Sequence, residues 1–172
     1  MLDIFQRLIA NQYEASLCTL NACVEKCPEN AWRGPVVNLT FCQVVFHAAF
    51  FTDYHLEVSE ETFRHQPFHL EHAAVFRDYE ELEPRAQIHF YEKAWIKVYL
   101  QFCREKAVQV AHSETAESLA APSGFPRKSF TRAELHVHNI RHIQHHAAQL
   151  SMRLRMDSQI DVPWFYSGWT GK

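Results

Sequence analysis

Apolar residues recur with a helical period over four long stretches of the chain. In the first, Leu2, Phe5, Leu8, Ile9, Tyr13, Leu17, Leu20 and Val24 follow a 3.6-residue repeat. One face is therefore apolar, which predicts a helix over residues 2–26, ended by Pro28 and Arg33-Gly34-Pro35. The second stretch starts at Leu39 or Phe41 and runs to Glu57. Thr40-Phe41-Cys42-Gln43 has the form of a capping box, with Asn38 as a second N-cap candidate. The run from Val44 to Phe51 is apolar nearly all round, interrupted by His47. The third helix is expected from Pro84, a residue suited to the first helical position, to about Val110. Its stripe would be Ile88, Tyr91, Trp95, Val98, Tyr99 and Phe102, with Val108 as a further candidate. The fourth opens on Thr131-Arg132-Ala133-Glu134, again of capping-box form, and ends near Met156. Arg153 and Arg155 fall in its last turn, where they complement the helix dipole.

Residues 58–83 show no clean period. Phe63, Phe68, Phe76 and Tyr79 lie among charges, together with His65, His69 and His72. A connection this long inside a compact domain predicts a functional lid or a partly ordered excursion. Its three histidines fit a surface loop better than a second metal site. Residues 120–126 read as a linker, and the aromatic tail from Asp161 to Trp169 is expected to dock. The four glycines all lie outside the periodic segments. The pattern predicts an all-α fold: a four-helix bundle with a long connection between its second and third helices and an aromatic C-terminal tail. No repeat supports a solenoid. A length of 172 residues fits one domain, 1–172.

Composition narrows the partners. The formal net charge is -3 and no Lys/Arg block stands out, which argues against nucleic acid. The apolar runs are too short and interrupted to span a bilayer. The first residues lack the basic and apolar regions of a signal peptide, so a cytoplasmic location is expected. Five cysteines, an odd count, fit reduced thiols. Cys23 and Cys27 have a chelating spacing, but small buried thiols in a helical core are the better reading.

The candidate chemistry lies in histidine. His136, His138, His142, His145 and His146 crowd into eleven residues. His138, His142 and His146 recur every fourth residue, so on a helix they form a column with steps of about 6 Å. Two imidazoles at i and i+4 can share one metal ion. His142 and His146 fill that role, and His47, a polar residue that needs a partner in an apolar run, supplies the third ligand. No fourth protein ligand is evident, so open positions remain, as at catalytic sites. Paired Glu-x-x-His motifs of di-iron bundles are missing, which favours a mononuclear centre. Asn139 and Ile143 stand where a zincin would need Glu. Three ligands spread over about 12 Å of one helix do not reach one ion, so His138 is placed beside the site or on the surface. His136 and His145, off the column, are expected to be exposed or bonded to solvent. Gln43, one turn before His47, either caps the helix or orients a metal-bound water. His55, two turns after His47, is a candidate for the pocket wall.

These residues resemble those of the DinB-like superfamily, metal-binding four-helix proteins that include YfiT-like metal-dependent hydrolases and thiol S-transferases. Members carry one His in helix two, within a stretch like Thr40-Phe-Cys-Gln-Val-Val-Phe-His47-Ala-Ala-Phe50. They also carry His-x-x-x-His followed by Arg-Gly-Gln in helix four. Here that motif reads His142-Ile-Gln-His145-His146-Ala147-Ala148-Gln149. The resemblance covers about residues 3–155. It implies metal ligands at His47, His142 and His146 and one divalent transition metal ion: zinc, nickel or iron. It also implies a small-molecule substrate such as a low-molecular-weight thiol, and a homodimer. The activities it implies are thiol S-transfer, thiol-dependent isomerisation and metal-dependent hydrolysis; the alternative is a non-catalytic, stress-related metal-binding bundle. Ala147-Ala148 replaces Arg-Gly: a small residue for close helix approach is kept at 148, and the Arg that could contact an anion or thiol substrate is absent. Trp164 or Tyr166 from the tail are candidates for closing the pocket.

Overall fold

The computed structural model describes residues 1–125 and 128–167; Pro126 of the expected linker and Trp169 of the expected tail lie outside this range. Four long helices, α1 (Leu2–Lys26), α2 (Phe41–Leu56), α6 (Lys93–Ser113) and α8 (Arg132–Ser158), carry the fold. Short helices α3 (Glu60–His65), α4 (Pro67–Glu71) and α5 (Ala73–Phe76) fill the second connection, and α7 (Ala116–Ala120) lies in the third. A two-residue antiparallel hairpin, β1 (Pro35–Val36) and β2 (Leu39–Thr40), leads into α2.

α1 packs on α6 and α8, and α2 packs on the same two helices, so α1 and α2 are diagonal. Side-chain pairs give the directions. Gln6 reaches the carbonyl of His112 while Glu25 pairs with Lys97, so α1 and α6 are antiparallel. Tyr13 meets His136 and Cys23 meets Ala147, so α1 and α8 are parallel. Asn139 reaches the carbonyl of Thr52 while His47 lies beside His146, so α8 and α2 are antiparallel. α2 and α6 therefore run the same way. The chain between them must return along the whole of α2, about 24 Å at 1.5 Å per residue. That geometry accounts for the long connection, residues 57–92.

The expected bounds of α1, α2 and α8 hold within two residues. At α2, the Gln43 Oε1 accepts the backbone N–H of Thr40 at 2.9 Å; at α8, Thr131 accepts the N–H of Glu134 at 3.3 Å. The third long helix departs from expectation: α6 begins at Lys93, not Pro84. Residues before it run extended because side chains from elsewhere take their backbone groups. The Glu80 carboxylate accepts the N–H of Ile88 and His89, Gln43 Nε2 donates to the carbonyls of Gln87 and His89, and Trp32 Nε1 donates to Tyr91 O. Ile88 and Val98, assigned to the apolar stripe, are exposed.

The core holds Tyr13, Phe46, Phe50, Phe63, Tyr99, Leu135 and Ile143, all fully buried. All five cysteines are buried free thiols. Burial pushes Cys18 and Cys27 up to about 11 and Cys23 up to about 12, which keeps them protonated. The Cys23 and Cys27 thiols each donate to a backbone carbonyl.

Two buried polar clusters tie the elements together, and each corrects a reading of a histidine as exposed. His136 is buried between Tyr13 and Glu114, its Nε2 2.9 Å from Glu114 Oε1. Arg132 completes that cluster with one bond to Glu114 and three to the carbonyls of His55, Leu56 and Glu57. It thus caps the C-terminus of α2, whose last carbonyls have no helical partner. His69 is also buried, its Nε2 2.9 Å from Asp53 Oδ2. Asp53 further accepts from Tyr99, Lys106 and Gln66. Burial alone would raise Asp53, but the His69 bond and the Lys106 charge hold it below the usual carboxylate range. This cluster pins the long connection to α2 and α6. Histidines 65 and 145 are exposed, as a surface location requires.

The described part of the tail docks through its backbone and through aliphatic residues. Gln12 donates to the carbonyl of Tyr166, and Ile160 and Val162 pack against the core. Trp164 and Tyr166 are exposed. Among the described residues no helix is long and apolar enough to cross a membrane.

Candidate metal centre

Helix α8 has two adjacent stripes. Leu135, Asn139, Ile143, Ala147, Leu150 and Leu154 are buried and form its core face. His138, His142 and His146 each precede a core residue by one position, about 100° round the helix. This places the column on the flank that meets α2, half-buried rather than in the core. His47, one position after Phe46 in the buried Phe46–Phe50 pair of α2, faces the same flank.

The structure brings His47, His142 and His146 together: one nitrogen from each lies within 4.8 Å of the others. His142 Nε2 and His146 Nε2 are 3.1 Å apart. Two imidazole nitrogens bound to one ion at about 2.0–2.1 Å, with an angle between about 90° and 109°, are separated by about 2.8–3.4 Å. The observed spacing falls in that interval. Two of the three remaining nitrogens are oriented from outside the cluster, while His142 Nδ1 is buried with no hydrogen-bond partner among the described residues. His146 Nδ1 donates to Gln149 Oε1 at 2.9 Å, and His47 Nδ1 donates to Glu81 Oε2 at 2.7 Å. Both bonds leave the Nε2 lone pair free, the tautomer that a metal ligand needs.

Burial, followed by the neighbouring imidazoles, pushes His142 down to about 2; burial and then His47 push His146 down to about 4. These rings are neutral at neutral pH, with lone pairs available. Burial also depresses His55, His69 and His138. A group whose pKa is lower folded than unfolded binds protons more readily when unfolded. Stability of the metal-free protein is therefore expected to be flat between about pH 7 and pH 8; at higher pH the unfolded thiols ionise while the buried ones stay protonated. It should fall as pH drops below the unfolded imidazole value of about 6.5. Glu81, raised by burial despite its bonds to His47 and Gln87, acts in the opposite direction and offsets only part of five imidazoles. Thermal unfolding followed from pH 8 to 5 checks this; a constant melting temperature would contradict it.

His47 and His142 line a cavity of about 710 Å³ whose walls include Phe51, Tyr54 and Phe125. His55 lies on the same wall, as the spacing from His47 suggested, and is buried. His138 lines the cavity too but stays out of the cluster, bonded instead to Lys128. Gln43 is fully engaged in capping α2 and holding residues 87–89, so it is not aimed at the cluster. Close approach of α8 to α1 occurs at the buried Ala147, not at Ala148, which is exposed. Trp164 and Tyr166 do not line the cavity.

The residue that sequence reasoning missed is Glu81. Tyr79-Glu80-Glu81-Leu82-Glu83 reads as a solvated acidic run. In the fold, Arg77 and Tyr79 take positive φ, 48° and 56°, conformations that cost non-glycine residues about 1–3 kcal/mol each. The turn they make drives Glu80 toward Ile88, His89 and Tyr91, and Glu81 toward His47. The Glu81 side chain is 1% exposed. Nothing local in the sequence marks that turn.

The fold and site together define a class: an all-α four-helix bundle with three histidines gathered between its second and last long helices. A family model for the DinB superfamily matches residues 12–150, most of the chain. The chain belongs to the DinB superfamily, which is metal-binding. No curated protein and no solved structure matched it.

Proposed function

We propose that the protein holds one divalent transition metal ion through His47, His142 and His146 and acts as a metal-dependent enzyme on a small molecule. The reaction class is thiol S-transfer or hydrolysis. The observation that carries this reading is the 3.1 Å pair of Nε2 atoms, with His47 beside it, on the edge of a 710 Å³ cavity. Imidazole donors suit zinc and nickel, with iron third. A metal in an open three-His site lowers the pKa of a bound thiol or water, making a nucleophile available at neutral pH.

The chain's own residues prepare that chemistry. Glu81 and Gln149 fix the ring orientation and tautomer of His47 and His146. The second oxygen of Glu81 is buried without a hydrogen-bond partner, and the residue lines the cavity. It can accept a proton from a thiol or water entering there. Phe51, Tyr54 and Phe125 give the cavity an apolar wall. Glu81→Gln should keep the fold but weaken metal affinity about 10–100-fold, the usual effect of losing such a partner. Competition with a metal-sensitive dye measures it; unchanged affinity would remove Glu81 from the site.

The functional test is turnover by tag-free, metal-loaded protein. Low-molecular-weight thiols with a chromogenic electrophile form one panel, and activated esters form the other. Metal-dependent turnover that His47→Ala abolishes supports the enzyme reading. A metal-induced rise in melting temperature with no turnover on either panel would instead support a metal-binding protein without catalysis.

A further inference from the structure

Of the charged side chains that line the cavity, Glu60 and Arg64 neutralise each other. Glu60 accepts Arg64 Nε and Nη2 at 3.1 and 2.8 Å and the Tyr54 hydroxyl at 3.2 Å. Glu81 is bonded to His47 and Gln87, and Glu83 faces solvent, where screening weakens it. Lys128 differs. Among the described residues no carboxylate lies within ion-pair distance of it, and its ammonium donates instead to His138 Nε2 at 3.0 Å. That bond puts the His138 proton on Nδ1 and leaves the ring neutral, with neutral His55 beside it at 5.4 Å between ring centroids. A half-buried cation among neutral imidazoles and aromatic rings lacks the counter-charge that would offset its desolvation.

In the loop that carries Lys128, the described residues are held in place. Gly124 has φ +86°, and a Cβ there would sit 2.2 Å from the carbonyl oxygen of Val58, so only glycine fits. Lys128 N–H donates to Phe125 O, and the Ser123 hydroxyl donates to Lys128 O. The ammonium is thus held beside His138, one helical turn, or about 6 Å, along α8 from His142.

We propose that the cavity takes a small molecule bearing a carboxylate, which Lys128 receives, while the reacting end of the molecule lies toward the histidine cluster. This rests on the cavity being the substrate site. Phe51, Tyr54 and Phe125 on the cavity wall favour an apolar stretch between the two ends of that molecule.

Calorimetric titration of zinc-loaded protein with 3-phenylpropionate and its neutral analogue 3-phenylpropionamide tests the proposal without a thiol. Wild type should bind the carboxylate about tenfold more tightly. Lys128→Gln should bring the ratio to about one while leaving the amide unchanged, and Lys128→Arg should restore the preference. Equal binding of both probes by wild type, or no binding of either at millimolar concentration, would overturn the proposal. So would a preference that survives Lys128→Gln, which would put the carboxylate on the metal. Carboxylate preference without thiol or ester turnover would keep this subsite and fail the enzyme reading; turnover without the preference would do the reverse.

Discussion

Arg132→Ala is expected to cost about 3–5 kcal/mol of stability, the range for breaking one side of a buried ion pair. The guanidinium is 8% exposed and makes four bonds, one to Glu114 and three to consecutive carbonyls at the end of α2. Removing it leaves those carbonyls without their cap and removes a principal counter-charge of Glu114. Hydrogen bonds from His136, Ser118 and Arg132 overcome burial and hold Glu114 down at about 2. Arg132→Lys should recover less than half of the loss, because one ammonium cannot reproduce the planar fork across three carbonyls. Urea unfolding at pH 7 measures both variants; a loss below about 1 kcal/mol for Arg132→Ala would contradict this account.

His142→Ala is expected to weaken metal binding by more than about 100-fold, beyond the effect of losing an orienting partner. The remaining pair, His47 and His146, comes from two helices with no i, i+4 chelate. The same substitution removes the most strongly depressed imidazole of the column, so the metal-free variant should lose less stability than wild type on going from pH 7 to pH 5. His145→Ala, one residue from His146 but exposed, should have a far smaller effect on both properties, since it is the least of the causes that depress His146.

Much of this architecture was legible in the sequence because it is written locally. α1, α2 and α8 follow from a 3.6-residue period and from Thr40 and Thr131 at the caps. His47, His142 and His146 follow from one polar residue in an apolar run and one i, i+4 pair. What failed was written at a distance. Ile88 and Tyr91 have helical spacing, but Glu80, Gln43 and Trp32 claim the backbone around them and draw it into an extended run. His69 and His136 look like surface histidines until Asp53 and Glu114, on other elements, are brought beside them. Glu81 needs both a positive-φ turn and the return path between two parallel helices. Polar residues whose partners lie tens of residues away leave no period to read.

The most direct measurement is the metal content of tag-free protein by mass spectrometry, for wild type and for His142→Ala. The structure leads us to expect about one divalent transition metal ion per wild-type chain and almost none in the variant. Full metal content in His142→Ala, or none in wild type after exposure to zinc and nickel, would contradict a centre built on His47, His142 and His146.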